Sequence, residues 1–335
     1  MAEGLQRELD DSIKRGDQGE TIARLLASSI QGEDGSYTLD TLRECVVAAS
    51  LIHDINALDA LPLLLTSGKL GVVELLNLIG ENVNARECVI ALAEQLERLG
   101  SDLSVSDEED EDEEEEEDTD AEGIVDHGPP LPVSQLTRLL NLYSQVTPRL
   151  RKLTGKPASD VVLPLVDNMQ AGVRVHGPHA NDQNARELII AVSRNVRTLS
   201  AWTETGEDPN EGSKCNLAIF EFVLFTLEAC SKGTNIHLSQ RAFEAQFPRY
   251  ALRPDPSAAS EVEDVVQTVW EALSQIGFNS SDLLKHPSIG ALSLFAHVVQ
   301  HPMESELFSL LPWFLAAIQT NTSVDETYQP SSSYL

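Results

Sequence analysis

A run of acidic residues near the middle of the chain sets the strongest limit on how the chain can fold. Twelve consecutive carboxylates extend from Asp107 to Asp118, and the stretch from Asp102 to Asp126 holds sixteen acids without Lys or Arg. Like charges at this density repel one another, and too few apolar side chains are present for burial to offset the entropy of ordering. We therefore predict that residues 102–132 form a disordered acidic insertion between two helical blocks.

The charge of the remaining chain limits the classes of partner. The formal net charge is −31, and subtracting the sixteen acids of the run leaves −15, so the folded parts are acidic too. Nucleic acids and anionic membranes bind basic surfaces, so we expect neither as a direct partner. The N-terminus lacks a secretory layout, and the four cysteines form no Cys-x-x-Cys pair. We predict a cytoplasmic protein, with the nucleus as a further location.

Apolar residues recur at helical spacing on both sides of the acidic run, and no segment alternates as a strand does. In residues 1–31 this spacing is broken at Gly16, which predicts two short helices. Three helix starts resemble one another: Thr41-Leu-Arg-Glu44, Asn84-Ala-Arg-Glu87 and Asn184-Ala-Arg-Glu187. Each places a capping residue three positions before a Glu that can reach back to the free backbone amides. The first two starts are 43 residues apart (41 to 84), which falls within the roughly 40–47 residues of armadillo and HEAT units.

These patterns predict an all-α fold, a HEAT/armadillo-like solenoid with an internal disordered acidic loop. The alternative is that good helix starts simply resemble one another. The predicted segments are an N-terminal helical block (1–101), the acidic insertion (102–132), a C-terminal block continuous with the first (133–320) and a disordered tail (321–335).

Three local boundaries follow from the residue types. Pro62 is expected at a bend or a helix start, because proline has no amide hydrogen to donate inside a helix. Gly100 is a favourable residue just after the end of a helix. Residues 203–213 are polar and rich in Gly and Pro, and they are predicted to be a linker.

The common nucleotide-binding and hydrolase motifs are missing, so no cofactor and no catalytic activity are predicted. His176 and His179, with Asp182 nearby, could approach one metal ion, but ordinary loop residues are the favoured interpretation. His297 and His301 are four apart on a predicted helix without a third ligand, and they too are interpreted as ordinary histidines.

Two sets of residues are candidates for a functional site. Arg149, Arg151, Lys152 and Lys156 form a basic cluster at the end of the first helix after the acidic run. Cations stabilise the C-terminal end of a helix, and they could also dock an acidic partner or the chain's own acidic run. The second set consists of candidate redox thiols, which are Cys45, Cys88 and Cys230. Such a role requires exposure and a lowered thiol pKa, whereas a buried free cysteine behaves as a small apolar residue.

Three stretches together resemble the YAP-binding, ALF and glomulin family of helical-repeat proteins. The stretches are Ala85-Arg-Glu-Cys-Val-Ile-Ala-Leu92 before the acidic insertion, the segment from Leu139 to Leu165 with its Thr-Pro-Arg-Leu-Arg-Lys-Leu run, and Ala185-Arg-Glu-Leu-Ile-Ile-Ala-Val192. The resemblance covers roughly residues 40 to 205 and extends weakly to about 320. It implies a HEAT-like solenoid without catalysis. This chain is shorter than the relatives, which usually continue for more helices.

The resemblance also implies a function. Fungal members bind a stress transcription factor and support its oxidation, or associate with kinetochores, while the animal member caps the RING subunit of cullin ligases. We therefore expect a scaffold or adaptor that binds a protein partner in the oxidative-stress response, with a ubiquitin-ligase (RING) regulator as an alternative. A second alternative, from the acidic run itself, is an acidic chaperone for histones or ribosomal proteins.

Overall fold

The computed structural model of the chain describes residues 2–32, 37–101, 131–151, 157–203, 209–230, 234–246, 248 and 261–286. All regular elements in these ranges are helical, which confirms the all-α prediction. The backbone contacts divide the chain into two compact units, Met1–Cys230 and Ser231–Leu335. This division has no counterpart among the boundaries taken from the sequence. The acidic run, the predicted helices after 286 and the tail at 321–335 lie outside the described residues.

The first unit contains ten described α-helices and two short 3₁₀ turns. The α-helices are α1 (Ala2–Arg15), α2 (Gln18–Gln31), α3 (Leu39–Ala48), α4 (Ala57–Leu65), α5 (Val72–Asn82), α6 (Ala85–Ser101), α7 (Pro132–Arg151), α8 (Ser159–His176), α9 (Asp182–Thr203) and α10 (Pro209–Cys230). The 3₁₀ turns are Ile52–Asp54 and Gly177–His179. The break predicted at Gly16 is confirmed, since this residue separates α1 from α2 with a φ of 78°, a conformation that glycine adopts without strain.

Two of the three predicted N-terminal caps lie one helical turn after the cap that the structure shows. In α3 the cap is Thr38, whose hydroxyl accepts a hydrogen bond from the Thr41 amide at 3.2 Å. In α9 the amide of Asn184 donates to the side chain of Asn181 at 2.9 Å. Thr41 and Asn184 were the predicted caps, and these predictions are wrong because an equally good capping residue three positions earlier adds a turn to each helix.

The middle start is confirmed. Asn84 accepts a hydrogen bond from the Arg86 amide at 3.0 Å, and α6 begins at the next residue. The Glu87 carboxylate accepts from the side-chain amide of Asn84 at 3.4 Å. The helix is therefore capped from one side, by Asn84.

Three local boundaries differ from the predictions. Pro62 lies inside α4, where it cannot donate to the Leu58 carbonyl; packing of α4 against α2, α5 and α6 outweighs this loss. Gly100 lies within the last turn of α6 and does not terminate it. The predicted linker at 203–213 is shorter, because α10 begins at Pro209, and proline is well suited to the first turn of a helix.

The ten helices of the first unit pack in a regular order. Each helix contacts the helix two positions further along the chain, from α1 with α3 through to α8 with α10. Several consecutive pairs are also in contact, including α1 with α2, α6 with α7, and α9 with α10. The odd-numbered helices thus form one row and the even-numbered helices a second row. The helices on the two sides of the acidic run follow the same order without interruption.

The second unit contains three described helices, α11 (Thr234–Gln246), α12 (Glu261–Gln275) and α13 (Ser280–Lys285). Helix α11 contacts both of the others. Asn279 and Asp282 form a complete capping box at the start of α13. This short helix was not predicted, although the spacing Asn279-x-x-Asp282 is a signal for it.

Candidate partner-binding surfaces

Arg149, the first residue of the predicted basic cluster, is bound to the protein's own backbone. Its guanidinium donates to the Gly80 carbonyl at 2.7 Å and also to the Val83 carbonyl. Both carbonyls are at the C-terminal end of α5, where the last carbonyls of a helix have no partner within the helix. Arg149 therefore satisfies the end of α5 across the acidic insertion, which is a structural role.

A second arginine of α7, for which no role was predicted, acts in the same way. Arg138 donates to three carbonyls at the end of α4, those of Leu64 at 3.5 Å, Leu65 at 3.3 Å and Ser67 at 2.7 Å. Burial lowers the pKa of its guanidinium, as desolvation does for a cation. Arg138 and Arg149 are eleven residues apart, close to three helical turns, so they share one side of α7. That spacing was the available signal.

Of the other residues of the basic cluster, the structure describes Arg151. Arg151 is half-buried and, with Pro148, Arg197, Thr198 and Ala201, lines a recess of about 480 Å³ between α7 and α9. Lys152 and Lys156 lie outside the described residues. The structure therefore separates Arg149, which is bound to α5, from Arg151, which lines an open recess. Docking of an acidic partner by the cluster stays a prediction.

The candidate metal residues have different environments. His176 is buried, and its Nε2 donates to the Leu99 carbonyl at the end of α6 at 2.9 Å. His179 and Asp182 are exposed. Within the described ranges no three His, Cys, Asp or Glu side chains come close enough to hold a metal ion. His297 and His301 lie beyond the last described residue.

All four cysteines are buried free thiols. Burial raises the pKa of Cys230 to about 12 and that of Cys88 to about 11, with the nearby Arg149 charge opposing the shift at Cys88. Burial also raises the pKa values of Cys45 and Cys215. The reactive form of cysteine is the thiolate, so these environments favour unreactive thiols. The redox role of Cys45, Cys88 and Cys230 stays a prediction.

A groove between α4 and α6 has both apolar and charged lining residues. It has a volume of about 750 Å³. We call it the α4–α6 groove, and its lining residues are Leu58, Asp59, Pro62, Leu63, Glu94, Gln95, Glu97 and Arg98. Its charged side chains are three carboxylates and one guanidinium. Sequence reasoning could not find this groove, because α4 and α6 are joined only through tertiary packing.

A smaller cavity adjoins the α4–α6 groove. It has a volume of about 230 Å³, and it shares Gln95 and Arg98 with the groove. Three leucines, one from each of α4, α6 and α7, supply its apolar lining: Leu65, Leu99 and Leu139. We call it the leucine cavity. The other lining residues are Thr66, Gln95, Arg98 and Gln135, so the cavity combines apolar and polar groups in similar numbers.

Comparisons with models of known protein families, with curated proteins and with solved structures find no match to this chain. The resemblance to the YAP-binding, ALF and glomulin family therefore stays an expectation from the sequence. In the part of the chain that the structure describes, no helix combines the length and apolar character needed to cross a membrane.

Proposed function

We propose that the chain is a non-catalytic helical solenoid that binds a protein partner. The observation that carries the proposal is the packing order of the first unit, in which each helix contacts the next but one along both rows. In a solenoid each repeat contacts only its neighbours, and the stacked repeats present long surfaces to a partner.

The likeness of the three predicted repeat helices also supports a solenoid. The three start motifs differ in where their helices begin, but they orient equivalent residues in the same way. Leu42, Ala85 and Ala185 are buried at one equivalent position, and Cys45, Cys88 and Leu188 are buried three residues later. Glu44, Glu87 and Glu187 are exposed between them. The motif helices α3 and α9 belong to the odd-numbered row and α6 to the even-numbered row, so the shared orientation supports packing of both rows on one core.

The narrower proposal is an adaptor in the oxidative-stress response that binds a transcription factor. It is supported by the family resemblance alone, as is the alternative of a RING-ligase regulator. The second candidate function, an acidic chaperone for histones or ribosomal proteins, is favoured by the charge of the acidic run, since dense polyanions attract basic proteins. In the chaperone the acidic run would bind the client; in the adaptor the helices would bind the partner.

Replacing residues 102–126 with a Gly/Ser linker separates these two functions. The full chain and the replaced chain would each be used for affinity purification from cells, with and without peroxide, followed by quantitative mass spectrometry. The adaptor proposal expects the same principal partner with both chains. Loss of that partner on replacement, together with recovery of histones or ribosomal proteins by the full chain, would instead establish the chaperone.

Truncation tests the solenoid itself. Because α1 and α2 have their main contacts with α3 and α4, deleting residues 1–32 is expected to leave the remaining helices folded and cooperative. Helical circular dichroism and urea unfolding would measure this. A truncated chain that loses its cooperative transition would show that the helices share one indivisible core, and the solenoid proposal would then be wrong.

A further inference from the structure

The α4–α6 groove combines features that together define one kind of occupant. Leu58 is 41% exposed at the start of α4, and Pro62 and Leu63 are half-exposed one turn later. One edge therefore offers an apolar strip along α4. A volume of about 750 Å³ lies within the range of roughly 300–1,000 Å³ that is typical of binding clefts.

The charge of the groove lining determines which sign of charge on an occupant is favoured. Asp59 from α4 and Glu94 and Glu97 from α6 line it, against a single cation, Arg98. The net charge of the lining is therefore −2, from three carboxylates and one guanidinium. The chain as a whole carries a net charge of −31, so its long-range field also attracts cationic and repels anionic partners. Charge complementarity of this kind favours a basic occupant.

The leucine cavity supplies a place for an anchor. It is adjacent to the groove at Gln95 and Arg98, and a volume of about 230 Å³ accommodates one large apolar side chain. Binding energy at protein interfaces is concentrated in a few such anchors surrounded by a polar rim. The charged residue that lines the cavity is Arg98, and the carboxylates line the adjoining groove, so an apolar side chain in the cavity would place basic neighbours of the same helix along the groove.

We propose that the α4–α6 groove binds a basic amphipathic helix of a partner protein, with a large apolar side chain of that helix in the leucine cavity. The neighbouring helices α4 and α6 of one row form a groove suited to another helix, a common mode of peptide recognition. Another mode adds a strand to a sheet edge, and the described ranges contain no strand to offer one. The inference rests on the proposed function and names the surface and the chemistry of the partner.

A titration with defined peptides tests the groove directly. The probe is a fluorescein-labelled helical peptide with Leu at positions i, i+4 and i+7 and with Lys and Arg on its flanks, and binding to the full chain is measured by fluorescence anisotropy. Versions with Glu in place of Lys and Arg, or with Ala in place of Leu, are expected to bind at least about tenfold more weakly, because each removes one of the two complementary features.

Matched variants of the protein assign the binding to the groove. The double variant Leu58→Lys with Glu94→Lys is expected to weaken binding about tenfold or more. Its control is Val73→Lys with Glu74→Lys, which changes an exposed apolar residue at the same position of α5 and a neighbouring carboxylate. The control is expected to bind within about twofold of the unchanged chain, since it lies outside the groove. Equal weakening by both double variants would overturn the proposal.

A second variant tests the leucine cavity without disturbing the core. Thr66 is exposed at the edge of the cavity, so Thr66→Trp can fill the cavity from the surface. It is expected to weaken binding of the Leu peptide about tenfold and to leave the weaker Ala peptide unchanged, because only the Leu peptide uses the anchor position. Unchanged binding of the Leu peptide would overturn the anchor.

The acidic run and self-association are the competing explanations. All titrations are repeated on a chain in which residues 102–130 are replaced by a linker, and the ratio between groove and control variants is expected to persist. If the difference between the groove and control variants disappears in this chain, the acidic run binds the peptide and the groove proposal is wrong. Sedimentation velocity that shows a change of mass in the Leu58→Lys and Glu94→Lys variant would identify a second copy as the occupant. Either result leaves the affinity purification as a separate test of the proposed function.

Discussion

Two regions that border α4 and α6 use charged side chains in opposite ways. In the first, α7 packs against α4, α5 and α6, and Arg138 and Arg149 donate to backbone carbonyls at the ends of α4 and α5. We call this contact the α7 junction. In the second, the α4–α6 groove, the carboxylates of Asp59 and Glu94 line an open recess. A charge that satisfies buried backbone groups contributes to stability, whereas a charge that faces a solvent-filled groove is available to a partner.

The comparison predicts that changes in the junction lower stability and changes in the groove do not. Leu136 of α7 is fully buried, and it meets Leu96 of α6 at Gly172 of α8, where an added Cβ would lie 2.9 Å from the Cδ1 atoms of both leucines. Leu136→Ala is expected to lower the free energy of unfolding by about 3 kcal/mol, within the range for buried leucines. Urea unfolding would measure the loss. Leu131→Ala, at a position 58% exposed just before α7, is the control, with an expected change below about 0.5 kcal/mol.

The second prediction separates two arginines of α7 that are two residues apart. Arg149→Met is expected to lower the free energy of unfolding by about 2 kcal/mol, because the carbonyls of Gly80 and Val83 lose a charged donor. Arg151→Met removes the same charge from the edge of an open recess, and its expected effect is below about 0.5 kcal/mol. Urea unfolding of both variants is the measurement. Similar losses would mean that net charge, and not the α5 carbonyls, determines the effect.

Helical periodicity was sufficient to predict the helical class of this fold, although the short helix α13 was missed. The break at Gly16 and the cap at Asn84 could be predicted because glycine and asparagine are typical residues at the ends of helices. The predicted caps at Thr41 and Asn184 failed because each has an equivalent capping residue one turn earlier, and local sequence does not rank two good caps. The prediction that Pro62 lies at a bend or a helix start was wrong, because packing against neighbouring helices can outweigh a local preference.

The surfaces were much less predictable. The sequence showed a basic cluster but not that Arg149 donates to carbonyls of residues 80 and 83, because such pairs depend on which helix ends the fold brings together. The α4–α6 groove is lined by residues between Leu58 and Arg98 that become neighbours only when α4 packs against α6. The exposure of the cysteines could not be predicted for the same reason. Periodicity identifies the buried face of each helix, but it does not identify the neighbouring helix.

The third prediction tests whether the junction needs the acidic run. Replacing residues 102–130 with a linker of about ten Gly and Ser residues is expected to raise the free energy of unfolding by about 1 kcal/mol, since a loop roughly threefold shorter has a smaller closure entropy. Removal of sixteen like charges acts in the same direction at low salt. Urea unfolding at two salt concentrations would measure both effects. A large loss of stability would show that the acidic run contributes packing to the junction.

The last prediction concerns Cys88, which lies on α6 near the charge of Arg149. Its pKa is raised by burial from 9.0 to about 11, so above pH 9 the thiol ionises in the unfolded chain but stays protonated in the folded one. Stability is therefore unaffected below pH 9 and falls as the pH rises toward 11, by up to about 1.4 kcal/mol per pH unit. Between pH 8 and pH 10 the unchanged chain is expected to lose about 1 kcal/mol more than Cys88→Ala, measured by urea unfolding. Equal losses would mean that the folded thiol ionises normally, and Cys88 would then meet the first requirement of the redox role that its burial argues against.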